Sequence, residues 1–185
     1  MSFFWLHALV VTAVVGLPLL GESAKPQYTK EGELVLPADY RTWTFVSSGI
    51  GMIYDDRAPG NNPPFENVFV NSQAYQSYMK NGVWPDKTIL LLEVRGSESK
   101  ISINKEGRVQ APRIQALEAH VKDNARGGWA FYSFNNGAAK GTPFPKTANC
   151  FACHEKNGAV DTTFVQFYPT LVDVAKKKGT YKATE

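Results

Sequence analysis

Two cysteines three positions apart with a histidine directly behind the second, Cys150-Phe151-Ala152-Cys153-His154, constrain this chain more than any other stretch. On one helical turn the two thiols lie on the same side, where each can add to a vinyl group of a porphyrin. The adjacent imidazole then points at the iron from below, which is the pattern of c-type haem attachment. These are the chain's 2 cysteines, so none remains for a structural disulfide. Three other readings compete. A redox dithiol wants a strand–helix context, whereas this motif follows the strand-rich part of the chain. A zinc site needs a fourth ligand, yet the only other histidines are His7 and His120. A disulfide between the pair would close a strained, tight loop. The expected cofactor is therefore one covalently attached haem c, held by Cys150 and Cys153, with His154 as its metal ligand.

The two ends set the compartment. An apolar run from Phe3 to Leu20 gives way to polar sequence at Glu22, as in an export signal. No Lys or Arg precedes the run, and a cut after Ala24 leaves Glu22 at a position that favours a small residue. Residues 1–24 are thus expected to be a signal peptide, with an uncleaved membrane anchor as the alternative. Either way residues 25–185, about the size of one domain, are expected to sit in the periplasm. Losing residues 1–24 removes one acid and no base, so the formal charge of +3 becomes +4. That mild balance, without clustered basic patches, argues against a nucleic-acid partner; Lys176 to Lys178 instead end a helix and complement its dipole.

Along the chain, Tyr40, Thr42, Thr44 and Val46 alternate with Arg41, Trp43 and Phe45, which predicts a strand. Residues 58–64 (APGNNPP) predict a loop, and Glu66 to Val70 a second strand. Asn71 or Ser72 caps a helix to about Lys80, with Asn81-Gly82 as its stop. Strands are expected at 87–95, within 101–109 around a turn at Lys105-Glu106-Gly107, at 117–121 and at 129–134. Residues 137–145 read as loop, 147–156 as a short helix carrying the cysteines, and 170–178 as a last helix behind Pro169. The fold class is α+β: mainly antiparallel β-sheet with a few helices, the haem-attachment helix near the C-terminus.

What sits opposite His154 decides the function. Electron carriers fill the sixth position with Met or His, and beyond the leader this chain offers only Met52, Met79 and His120. Met79 reads as core filler late in a helix. Met52 lies in a Gly-rich turn and could reach. His120 shares a face with Glu118 and Lys122 and reads as a solvated or hydrogen-bonded histidine. An open sixth site is expected, and open haem iron binds small gases or substrates. Aromatic residues on the expected strands, Trp43, Phe45, Phe69, Trp129, Phe131 and Phe134, are mostly core material, with one or two available to cap the iron.

The segments LPADYRTW (36–43), ENVFVNSQAYQSY (66–78), WPDKTILLLEV (84–94), GWAFYSF (128–134), CFACHE and FVQFYPTL (164–171) together resemble the cytochrome P-460 and cytochrome c′-beta superfamily, small periplasmic monohaem proteins. The resemblance covers about residues 36–178. It implies a five-coordinate iron held through His154 and a distal pocket for nitrogen oxides. Cytochrome P-460 proper carries a lysine cross-linked to the porphyrin and oxidises hydroxylamine; cytochrome c′-beta lacks that bond, has an aromatic distal cap and binds nitric oxide. The lysine's place is held here by Leu92, which cannot form the bond, and Lys87 and Lys100 read as surface charges. By the same resemblance Phe45 and Phe69 are the candidate cap, with Leu92 in the distal pocket. Glu118 and Glu155 are the candidate catalytic carboxylates, and a homodimer is compatible with the pattern. The leading expectation is a periplasmic cytochrome that binds nitric oxide or a related nitrogen oxide. A hydroxylamine-oxidising enzyme and a simple electron carrier working with a redox partner protein remain as alternatives.

Overall fold

The structure, a computed structural model, describes residues 25–54 and 60–183. The expected signal segment at 1–24, and Ala58 and Pro59 of the expected loop, lie outside them. Seven strands make one antiparallel sheet: β1 Leu34–Val35, β2 Thr44–Ile50, β3 Phe65–Val70, β4 Ile89–Glu98, β5 Val109–Asp123, β6 Gly128–Ser133 and β7 Lys140–Pro143, in the order β1-β7-β6-β5-β4-β3-β2. Three helices accompany it: α1 Ser72–Asn81, α2 Asn149–Asn157 and α3 Pro169–Lys178. The class is α+β and mainly sheet, as the period-two segments predict.

Three local expectations shift. Tyr40–Thr42 is a 3-10 turn and not the start of a strand, because the Thr42 hydroxyl donates to the Asp39 carbonyl at 2.9 Å and the Tyr40 amide to Pro37, giving the backbone a local alternative to the sheet. The stretch expected to be loop at 137–145 contains β7. Its Lys-Gly-Thr-Pro sequence is poor strand material, and it is held by non-local pairing of Gly141 with Leu34 and by local pairing of Thr142 with Ser133. The turn at Gly107, with φ +80°, belongs to a longer loop between β4 and β5.

Both faces of the sheet are covered. Ile89 and Leu91 of β4 point into one buried cluster with Tyr40, Trp43, Leu117 and Phe134. Their neighbour Leu90 points the other way, into a second cluster where α1 and α3 supply Ala74, Tyr78, Leu171 and Ala175. Alternation across the pleat separates the two. At roughly 25 cal/mol per Å² of apolar surface, each fully buried Leu or Ile adds about 2 kcal/mol. The helices leave part of the second face open, and the site lies there. No helix among the described residues is long and apolar enough to cross a membrane.

Candidate functional site

A cavity of about 610 Å³ lies between the helix-covered face of the sheet and the C-terminal segment, within the size range of cofactor sites. Register fixes its floor. Val68 pairs with Leu92 and Leu92 with Glu118; one step along, Leu90 pairs with His120 and His120 with Phe131; one step the other way, Glu66 pairs with Val94. Residues paired in this way share a face, and all of these line the cavity. The opposite wall comprises His154, Thr163, Phe164, Phe167 and Tyr168.

His154 reaches the cavity from α2, four positions after Cys150 and therefore on nearly the same helical face. Behind it the chain reverses at Asp161-Thr162, whose φ values of 50° and 63° lie in the left-handed region; the bridge between Val160 and Thr163 closes this two-residue turn. The turn aims the Thr162 carbonyl at the imidazole, with Nδ1 and oxygen 2.8 Å apart. A carbonyl oxygen only accepts, so Nδ1 carries the proton and Nε2 is the atom left to ligate. Burial holds the His154 ring below its ordinary pKa, and the Thr162 bond partly offsets this. Neutral imidazole is the ligating form.

The other expected site residues divide. Leu92 and Glu118 line the cavity side by side. Phe45 and Phe69, the expected aromatic cap, do not: they face each other across β2 and β3 on the opposite side of the sheet, ring to ring at 5.8 Å, with Phe45 54% exposed. Phe69 packs into the cluster of Tyr40 and Trp43. The cavity's aromatic residues are instead Phe131, Phe164, Phe167, Tyr168 and Tyr54. Glu155 is exposed on α2 and is not among the lining residues, so only Glu118 of the two proposed carboxylates is in place.

His120 is not the solvated residue its neighbours suggest. It is 7% exposed, stacked on Phe131 at 4.0 Å and 10°, edge-on to His154 at 4.9 Å, and its Nε2 has no hydrogen-bond partner. Burial, with the His154 and Lys146 charges, keeps it neutral well below the ordinary histidine range. Met52 lines the cavity, whereas Met79 is exposed on α1. Burial pushes the Glu118 carboxyl up. It does the same to Glu66, where a long bond from the Met52 amide at 3.4 Å partly offsets it. Glu66 was legible only as a carboxylate sharing a strand face with Val68 and Val70, a charged residue in an apolar row.

A family model described as Cytochrome P460 matches residues 37–165, well over half of the chain. The chain belongs to the cytochrome P460 family. No curated protein matches it. Family membership makes it a haem-binding cytochrome, and its own residues fit that group. Cys150 and Cys153 are unpaired thiols on the helix that presents His154. Among the described residues no set of three or more His, Cys, Asp or Glu is gathered to hold a bare metal ion. A largely apolar, aromatic-walled cavity into which His154 turns an Nε2 left to ligate suits a haem.

Proposed function

We propose that the chain is an exported monohaem c-type cytochrome whose iron, on the face away from His154, takes up nitric oxide or a related small nitrogen oxide. Cys150 and Cys153 would hold the haem by thioether bonds and His154 Nε2 would ligate it. The haem supplies an iron able to bind a diatomic ligand; the protein's part is to orient the axial imidazole through Thr162, exclude water with an apolar wall and leave room beside the iron. The observation that carries this reading is Leu92 on the cavity floor, flanked by Val68 and Glu118, where the hydroxylamine-oxidising type has its cross-linking lysine. Placement in the periplasm rests on the apolar leader.

The optical spectrum of the purified, reduced protein tests it. A high-spin ferrous spectrum that changes on adding nitric oxide is expected; a low-spin spectrum indifferent to nitric oxide would overturn the reading in favour of an electron carrier. One observation favours the enzymatic alternative: Glu118 is a desolvated carboxylate in the cavity wall, suited to accept a proton. That alternative requires a haem peptide joined to a third chain position, and mass spectrometry of a digest showing only the two thioether links removes it.

A further inference from the structure

The charge on the cavity wall is one-sided. Among the described lining residues there is no lysine or arginine, while two carboxylates, Glu66 and Glu118, line it. They stand on β3 and β5, with Leu92 and Val94 of β4 between them, at a backbone separation of about 12 Å by strand spacing. Among the described residues neither has an ion-pair partner. Among the described residues Glu66 has the long contact from the Met52 amide, while Lys122 is engaged with Asp161 and the Trp84 carbonyl and Lys146 with the Trp129 carbonyl. In the same wall His120, 7% exposed, carries an Nε2 with no partner. An orphaned buried polar atom is uncommon and is found at functional sites among other places. Structural carboxylates in this chain look different: Glu93, on the other face, is bound by Tyr40, Arg41 and Arg95.

We propose that Glu66 and Glu118 act together as a charge filter, so that the cavity admits neutral ligands to the iron and turns away anions of similar size. Nitric oxide passes; nitrite and azide are disfavoured. The physical basis is that a unit negative charge within about 11 Å, at an effective dielectric constant near 20, shifts the affinity of an anion about tenfold and leaves that of a neutral molecule without a first-order electrostatic cost. This inference deepens the function proposed above and rests on its open iron site.

The test compares azide binding to the ferric protein with carbon monoxide binding to the ferrous protein on the alkaline side of neutrality, which favours the charged form of both carboxylates. In Glu66→Gln and Glu118→Gln, which keep side-chain volume and remove charge, the ratio of azide affinity to carbon monoxide affinity is expected to rise about tenfold, and in the double variant about a hundredfold. Glu66→Asp and Glu118→Asp keep the charge and should hold the ratio near that of the unmutated protein, which separates a charge effect from a packing effect. A double Gln variant whose ratio stays within about twofold of the unmutated protein overturns the filter, as does an equal rise in the Asp variants. The nitric oxide reading is judged on the unmutated protein and the filter on the shift between variants, so the two fail separately.

Discussion

The Nδ1 of His154 and the carbonyl oxygen of Thr162 lie 2.8 Å apart, and that bond ties the imidazole to a backbone turn eight residues further on. Gly158 makes the approach possible. A Cβ there would come within 2.6 Å of the His154 carbonyl oxygen, 2.7 Å of the Thr162 carbonyl carbon and 2.8 Å of its Cα, all backbone atoms with little freedom to yield. Gly158→Ala is expected to cost about 2 kcal/mol by overpacking and to loosen the imidazole. Urea unfolding should show the loss, and the reduced spectrum should broaden or shift.

Thr162 itself is strained. Its φ of 63° is costly for a β-branched residue, and its buried hydroxyl has no partner. Thr162→Gly keeps the carbonyl while removing both costs, so a gain of about 1 kcal/mol is expected after the extra freedom of the unfolded chain is counted. Thermal unfolding checks the sign. A lower melting temperature would show that the Thr162 side chain contributes contacts that outweigh the strain.

On the far face of the sheet, Glu93 is 1% exposed and accepts from the Tyr40 hydroxyl at 2.6 Å, from Arg95 Nε at 2.5 Å and from Arg41. Glu93→Gln removes the charge and leaves the mostly buried Arg95 short of a counterion, an expected loss of about 3 kcal/mol. The site lies on the opposite face, so the reduced spectrum and nitric oxide uptake of the folded fraction should not change. A spectral change at this substitution would contradict the separation of the two faces.

The carboxylates give pH dependences of opposite sign. Burial raises Glu66 and Glu118 above the ordinary 4.5. Their contribution to stability is complete below that value and is lost as pH climbs through the folded pKa. Burial also pushes Glu93 up, but the Arg95 and Tyr40 hydrogen bonds and the arginine charges outweigh it and hold the group below 4.5; its contribution is complete above 4.5 and is lost as pH falls through the folded pKa. The Glu66→Gln, Glu118→Gln double variant should therefore lose less stability than the unmutated protein as pH rises above 4.5, and Glu93→Gln should lose less on acidification below 4.5. Denaturant midpoints across pH measure both slopes.

The sequence by itself determined the Cys150-Phe151-Ala152-Cys153-His154 motif and most of the elements. Cys150, Cys153 and His154 are adjacent in the chain, so their relation needs no tertiary contact to be read, and α1 and α3 are bounded by local signals, Gly82 in the left-handed region and Pro169 in the first turn. Short runs of aliphatic, β-branched and aromatic residues likewise located β3, β4 and β6 within a residue or three. Tertiary structure decided which face mattered. Period two states that Glu66, Val68 and Val70 share one face and Phe65, Asn67 and Phe69 the other, but both faces of this sheet are covered, so alternation alone does not say which one holds the cavity. Only the docking of α1, α3 and the C-terminal segment decides it. For that reason Leu92 and Glu118 fell in the cavity while Phe45 and Phe69 fell behind it, and β7, held on one side by β1, about a hundred residues away in sequence, was not visible at all. The orientation of His154 belongs to the same class: the motif supplies the imidazole, and a turn strained at Asp161 and Thr162 supplies the carbonyl that aims it.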